Sequence, residues 1–210
     1  SLMAIAALNM AITPHYFRKL KDVGFLSAQE WSLKFNNNII KIIGLIVFII
    51  LMFSKEIVLI LFGSDYFESI SVTGLLLISY YFAGTNSVHG RLIQYKKKTQ
   101  HSMVIDIFCA LINVGLNFLL IPKYGLTGAA LATLASLFFA FIVNFIYVKL
   151  HLGVSSVSLR VYLFTVLILV VAMLLNSIEY DEFLLFFIFK VVLILIIVIK
   201  YFNQLKTLLK

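Results

Sequence analysis

Residues 113–136, NVGLNFLLIPKYGLTGAALATLAS, decide the fold of this chain. Pro122 ends an apolar helix because its ring removes a helical hydrogen bond, and Gly125 permits a tight turn. Tyr124 is an aromatic anchor of the kind found where membrane meets water. After the turn, small residues give the next helix a face for close packing: Gly128, Ala129, Ala130, Ala132 and Thr133. The segment therefore predicts a compact helical hairpin.

The composition around this hairpin is that of a protein embedded in lipid. Of its 210 residues, 62% are hydrophobic and 12% are charged, and the mean hydropathy is +1.07. Soluble domains are roughly half apolar and a quarter charged. The only cysteine, Cys109, excludes a disulfide framework and a cysteine-based zinc site. We therefore expect an all-α integral membrane protein without a metal or cofactor.

Six windows are long and apolar enough to cross a bilayer, which takes about 20 residues. They cover residues 39–62, 72–90, 103–121, 128–148, 159–175 and 183–201. A shorter apolar piece, residues 1–12, precedes them, and Pro14 ends it. Because this piece starts in the middle of a span without an initiator Met, we expect six full transmembrane helices plus a truncated first one, as in a fragment of a longer protein.

The basic residues lie in alternate loops, which sets the expected orientation. Fourteen of the seventeen Lys and Arg fall on one side when the loops are assigned in turn. Cytoplasmic loops hold such an excess. We therefore place the loops 14–31, 91–102 and 149–160, together with the C-terminus, in the cytoplasm. The basic residues behind the net charge of +8 are thereby explained by membrane topology, and we expect no nucleic-acid partner.

The string from Asn113 to Thr133 resembles the signature N-x-x-L-N-x-x-L-I-P-x-Y-G-x-x-G-A-A-x-A-T of polysaccharide flippases. These belong to the superfamily that also contains the multidrug and toxic-compound exporters and the peptidoglycan lipid flippase. The stretch LFGSDY, with Gly63 and Tyr66, looks like the L-F-G-x-x-Y element at an outer helix end. Pro14 resembles the proline that ends an earlier helix. The resemblance covers about residues 1–148.

The resemblance implies a transporter of two six-helix lobes facing a central cavity. Residues 1–148 would be part of the C-terminal lobe, with five spans of which the first is truncated, and residues 149–210 would be two appended helices. The N-terminal lobe would be a missing partner. The implied function is alternating-access translocation of a polyprenyl-diphosphate-linked oligosaccharide across the bacterial cytoplasmic membrane, for O-antigen, lipopolysaccharide or capsule synthesis. A polysaccharide polymerase would be a further partner.

Three other functions stay open at this stage. A drug exporter of the same superfamily would favour a carboxylate in its cavity. A membrane polysaccharide polymerase or ligase would need a large outer loop, which the sequence lacks. A structural membrane partner is the third. Because no GxSxG, HExxH or P-loop motif occurs, we expect that the chain is not an enzyme.

Asp106, Asn113 and Asn117 share one face of their predicted helix, since they are spaced by seven and four residues. Polar groups at membrane depth face a cavity or a partner helix. They could form a wall that contacts sugar or a coupling cation. The alternative is hydrogen bonding between helices, with Asp106 simply solvated near the cytoplasmic interface.

Several basic residues have a similar double interpretation. Lys41 and Arg91, expected at cytoplasmic helix ends, could receive the diphosphate or act as snorkelling anchors. Lys190, inside the last window, could attract a phosphate or snorkel to the interface. His89, close to Thr85 and Asn86, could relay protons or simply be hydrated.

Overall fold

The computed structural model describes residues 2–63, 69–154, 156–177, 187–195 and 199. All regular elements in these ranges are helices. They are α1 (Leu2–Val23), α2 (Gln29–Met52), α3 (Ser54–Phe62), α4 (Ser69–Tyr95), α5 (Thr99–His151), α6 (Leu159–Ser177) and α7 (residues 187–195). The expected all-α class is confirmed for this part of the chain.

Pro14 does not end the first helix, contrary to our expectation. α1 continues through it to Val23. The carbonyl that Pro14 leaves without its N–H donor is that of Met10, four residues earlier. The hydroxyl of Thr13 donates to the neighbouring carbonyl, that of Asn9, at 2.6 Å. The long basic loop therefore shrinks to a turn at residues 24–28, which Gly24 begins with a φ of 88°.

The window 39–62 is divided between two helices instead of forming one span. α2 starts earlier than expected, at Gln29, and ends at Met52. The break lies at Phe53, with φ −103° and ψ 12°, and α3 follows. The Ser54 hydroxyl donates to the Leu51 carbonyl at 2.9 Å, which gives the backbone an alternative to the continuous helical ladder at this point.

α5 is a hairpin, as the sequence predicts. A straight helix of its 53 residues would be about 80 Å long. Instead, the backbone reverses at Gly125, with φ 55° and ψ −132°, and the rings of His101 and Tyr147 stack at 3.3 Å. We name the two arms α5a (residues 99–124) and α5b (residues 126–151). The helix continues past Pro122, so Gly125 alone makes the turn.

Small residues hold the two arms together. A Cβ added at Gly128 would lie 2.6 Å from the carbonyl carbon of Leu120, so the arms approach closely there. Ala130 and Ala132 are buried, and Ala129 and Thr133 are half-buried. The predicted small-residue packing face is therefore present.

The remaining helices assemble around α4. α5b packs against it through aromatic rings, with Phe82 lying 5.0 Å from Phe138 and 5.4 Å from Phe141 between ring centroids. α2 lies between α4 and α6, and α1 covers α4. The fully buried aliphatic and aromatic side chains of this core include Ile40, Ile43, Val47, Leu51, Tyr81 and Leu169.

The turns at residues 24–28 and 96–98 meet at one end of the bundle with the described residues of the 152–158 connection, which are all but residue 155. Phe25 stacks on Tyr95, and Lys96 Nζ lies 3.5 Å from the centre of the Phe25 ring. Val154 packs into the same apolar cluster. This end, hereafter the basic end, carries the three basic loops. Gly63 and Gly125 lie at the opposite end, because the helices run from one end to the other.

Three of the described helices are long and apolar enough to cross a membrane. They are α2, α5 and the Leu159–Asn176 portion of α6. The larger number of six full spans stays a prediction. Part of its last window lies outside the described residues, namely residues 183–186, 196–198 and 200–201.

Candidate functional site

Arg91 is the centre of a polar cluster enclosed by three helices. Its side chain is only 3% exposed. Nη1 donates to Asn9 Oδ1 at 3.0 Å and Nη2 to Asn36 Oδ1 at 3.5 Å. Its Cζ lies 5.4 Å from the centre of the Tyr16 ring, within cation–π range. α1, α2 and α4 therefore each contribute to the environment of one guanidinium group.

A second layer of hydrogen bonds fixes the groups around Arg91. Asn36 Nδ2 donates to the Tyr16 hydroxyl at 3.2 Å, and that hydroxyl is hydrogen-bonded to Ser32. Asn9 Nδ2 donates to Ser87 Oγ at 2.7 Å. Both amides are thereby oriented with their oxygens toward the guanidinium. We refer to the whole set as the arginine cluster, which consists of Asn9, Tyr16, Ser32, Asn36, Ser87 and Arg91.

The positive charge in the arginine cluster has no counter-ion in the described part of the chain. No carboxylate there lies within ion-pair distance of Arg91. Its Nε hydrogen also lacks a partner, although the atom is buried. A buried cation costs several kcal/mol of desolvation, and neutral dipoles offset only part of that cost. The cluster is therefore suited to an anion.

Two members of the arginine cluster are open to an approaching ligand. Asn9 and Ser87 are half-buried, whereas Tyr16, Ser32 and Asn36 are buried with Arg91. The cluster consequently reaches the surface between α1 and α4. A ligand entering there would meet an amide and a hydroxyl before the guanidinium group.

Burial distinguishes between the two interpretations of Arg91. A snorkelling anchor extends its charged group into water, and this guanidinium does not, so the anchor interpretation is wrong for Arg91. Lys41 does not lie at a helix end either, because α2 starts at Gln29 and places Lys41, half-buried, in its middle.

The polar face of α5a is directed partly toward α5b. Asn113 Nδ2 lies 3.3 Å from Ser136 Oγ and 3.4 Å from Thr133 Oγ1, as donor to both. Asn117 Nδ2 donates to Asn113 Oδ1 at 3.0 Å. These contacts are hydrogen bonds between and within the hairpin arms, which was the alternative to a cavity wall in the sequence analysis. Asp106 is exposed, and a cavity wall made of these residues stays a prediction.

Lys190 is neutralised at the opposite end of the bundle. Its Nζ lies 2.7 Å from Glu56 Oε1 and donates to Asn176 Oδ1 at 3.4 Å. Asn176 in turn donates to Ser54 Oγ at 2.7 Å, directly after the break between α2 and α3. Lys190 is only 1% exposed, so the snorkelling interpretation is wrong. The group ties α7 to α3 and α6.

His89 is fully buried, so the interpretation as a hydrated interfacial histidine is also wrong. Nδ1 lies 2.8 Å from Ser156 Oγ and Nε2 lies 2.9 Å from the Tyr162 hydroxyl. Nearby, Asn86 Nδ2 donates to the Leu137 carbonyl at 3.3 Å. His89 therefore uses both ring nitrogens to join α4 to α6 and to the connection before it.

The remaining sequence motifs have simple placements. Gly63 ends α3 with a φ of 84°, as expected of a helix stop. Tyr66 lies outside the described residues. Tyr124 is exposed beside the hairpin turn. Among the described residues, no group of three or more His, Cys, Asp and Glu side chains could hold a metal ion.

Sequence reasoning missed most of the arginine cluster. Asn9, Tyr16 and Asn36 are the residues that position Arg91, and none of them was a candidate. A signal was available, because Asn9 and Asn36 interrupt or border apolar helices, where amides are rare. Their joint contact with one side chain depends on three helices that are distant in sequence.

Within the described residues, fold and site together define a helical bundle with three helices of membrane-spanning length and hydropathy, which encloses a buried guanidinium without a carboxylate partner. No model of a known protein family, no curated protein and no solved structure matches the chain.

Proposed function

We propose that this chain forms part of a flippase that moves a polyprenyl-diphosphate-linked oligosaccharide across the bacterial cytoplasmic membrane. The observation that carries the proposal is Arg91, a buried guanidinium without a carboxylate partner among the described residues. The resemblance of residues 113–133 to polysaccharide flippases supports the same function. The diphosphate is the anion that the arginine cluster receives.

Arginine suits this role because its planar fork of N–H donors matches phosphate oxygens in a bidentate manner. On binding, Nη1 and Nη2 turn from the amide oxygens of Asn9 and Asn36 to the phosphate. The released amides are then available for sugar hydroxyls. Ser87, half-buried beside Asn9, adds a hydroxyl that can donate or accept.

The physical need for such a site follows from the substrate. Sugar hydroxyls and a diphosphate lose their water hydrogen bonds in hydrocarbon, at several kcal/mol for each unsatisfied group. A polar path through the protein avoids this cost, while the prenyl chain stays in lipid. The arginine cluster joins α1, α2 and α4, so a shift of these helices relative to one another would alter its access.

The sign of the buried charge favours a lipid-linked anion over a cationic drug. An exporter of cations would use a buried carboxylate without a counter-ion. Glu56, the least exposed carboxylate among the described residues at 12% side-chain exposure, is paired with Lys190 at 2.7 Å. The polymerase or ligase and the structural partner remain outcomes of the experiment below.

The experiment compares lipid-linked sugars in cells that lack the intact gene with cells that carry variants of the full protein. The variants are Arg91→Gln, Arg91→Lys and, as the matched control, Arg160→Gln, which changes an exposed arginine in the first turn of α6. We expect completed repeat units to accumulate on the cytoplasmic leaflet without the gene and with Arg91→Gln. Arg160→Gln should restore surface polysaccharide fully, and Arg91→Lys in part.

Other results would assign other functions. Normal transport by Arg91→Gln, at a normal amount of inserted protein, would remove Arg91 from the substrate site. An unchanged lipid profile without the gene would favour the exporter or the structural partner. Repeat units that reach the outer leaflet but stay unpolymerised would favour the polymerase or ligase.

A further inference from the structure

A second polar feature lies at the basic end, apart from the arginine cluster. It is a pocket of about 300 Å³ between α2, the end of α5b, the 152–158 connection and the start of α6. This volume is at the lower limit of those that hold small ligands. Neither the proposed transport site nor any sequence motif accounts for it.

The pocket has two kinds of lining. Its apolar part includes Leu33, Phe145 and Val157, and its polar part consists of Lys149, Ser156 and Ser158. Lys149 is exposed and belongs to the last turn of α5, so its ammonium group lies at the rim. An apolar wall, two hydroxyl-bearing residues and one cation match an amphiphile with a single negative charge.

The surrounding charges favour the same kind of ligand. Lys34 directly follows Leu33, and Arg160 directly follows the pocket residue Leu159; both side chains are exposed. Basic groups close to a membrane surface attract anionic headgroups, by about 1 kcal/mol each. A hydrated inorganic phosphate would gain nothing from the apolar wall and would lose water there.

We propose that this pocket binds the headgroup and the adjoining chain segment of an anionic phospholipid. Lys149 contacts the phosphate, the Ser158 hydroxyl contacts a headgroup oxygen, and Leu33 and Phe145 contact the first carbons of the acyl chain. The proposal does not depend on the proposed transport function, because it uses none of the residues of the arginine cluster.

Binding at this position should stabilise the bundle. The connection that forms one wall is already held on its other side, since Ser156 is hydrogen-bonded to His89 and the Ser158 N–H donates to Asn37 Oδ1 at 2.8 Å. A lipid lodged against the same connection would fasten α2, α5b and α6 to one another. A ligand that binds only the folded state raises its stability by mass action.

The test uses the full chain, purified in a neutral detergent and analysed by native mass spectrometry with added lipid. Phosphatidylglycerol and phosphatidylcholine with identical acyl chains are the two probes. We expect one retained phosphatidylglycerol per chain and much weaker retention of phosphatidylcholine. Lys149→Gln should weaken phosphatidylglycerol binding about tenfold, the effect of losing one charge-assisted contact.

The matched control is Lys123→Gln, which removes the same charge from an exposed position at the hairpin turn. It should leave the affinity unchanged. A third variant, Leu33→Trp, fills the pocket at a half-buried position and should abolish the specific binding while the thermal unfolding temperature without lipid stays within a few degrees.

Four results would overturn the proposal. They are equal losses of affinity in Lys149→Gln and Lys123→Gln, equal retention of the two phospholipids, full binding by a folded Leu33→Trp variant, and displacement of the lipid by millimolar inorganic phosphate. The first would reveal a general charge effect and the last a site for the free anion.

Discussion

Replacing Gly44 by Ala should destabilise the fold. Replacing Thr165 by Ser in the same variant should reverse the effect. Gly44 is buried in α2 where it meets α6. A Cβ added there would overlap Cγ2 of Thr165, whereas the next nearest atoms, Thr165 Cβ and Tyr81 Cε2, lie at 3.6 and 3.7 Å, which is ordinary contact. One methyl group therefore accounts for the conflict, and serine lacks that methyl group.

The size of the effect follows from three contributions. Overpacking a tight interface costs about 1–3 kcal/mol, and replacing a glycine inside a helix by alanine returns about 1 kcal/mol. The difference is a loss of up to about 2 kcal/mol for Gly44→Ala, and the overlap with Cγ2 of Thr165 places the expected value at the upper end of that range. Thr165→Ser alone should lose about 1 kcal/mol, because it leaves a methyl-sized void. The double variant should come within about 0.5 kcal/mol of the original chain, since the new Cβ fills that void.

The assay is reversible unfolding in mixed micelles with increasing dodecyl sulfate. Far-ultraviolet circular dichroism follows the helices, and the fluorescence of Trp31, the single tryptophan, follows the basic end. Thr165 keeps its hydrogen bond to the Val161 carbonyl as serine, so only the methyl group is tested. Gly115→Ala is the control, because no atom lies within 4 Å of its added Cβ. Additive effects of Gly44→Ala and Thr165→Ser would refute the contact between α2 and α6.

Three further predictions concern the ion pair, the hairpin and the orientation. Lys190→Met should cost about 3 kcal/mol in the same assay because it leaves Glu56 without its partner, and Lys190→Met with Glu56→Leu should recover most of that loss; equal stability of the single and double variants would contradict the pairing. Asn113→Leu should cost about 0.6–1.7 kcal/mol of hairpin stability. The double variant with Asn117→Leu should still permit transport if both residues only pack. A folded but inactive double variant would instead assign them to the cavity wall. In a Cys109→Ser background, an impermeant maleimide applied to intact cells should label Asp65→Cys or Asp181→Cys and leave Lys97→Cys unlabelled; labelling at position 97 would reverse the proposed orientation.

The sequence predicted those features that depend on neighbouring residues. The hairpin of α5 could be foreseen because Gly125 and the small residues after it act within one turn of each other. The meeting of the three basic loops at one end followed from counting charges along alternate loops. The cause of the hairpin lies within a few residues of its effect, and the charge pattern repeats from loop to loop along the chain.

Helix limits were harder to predict because tertiary packing overrides local signals. Pro14 is a strong helix breaker, yet a threonine hydroxyl in the same helical turn accompanies a continuous α1. The apolar window 39–62 gave no sign of the break at Phe53. Hydropathy marks where a helix is apolar and not where it begins. For this reason the apolar window did not predict that α2 starts at Gln29.

The candidate site could be predicted only in part, because it depends on contacts between residues that are distant in sequence. Arg91 and Lys190 are both basic, both enclosed by helices and both almost fully buried, at 3% and 1% exposure. Only packing determines that Lys190 meets Glu56, whereas Arg91 meets two amides and a ring. Desolvation costs are similar for the two cations. Among the described residues, the fold offsets this cost with a carboxylate for Lys190 and with two amides and an aromatic ring for Arg91, and the proposed anion site depends on this difference.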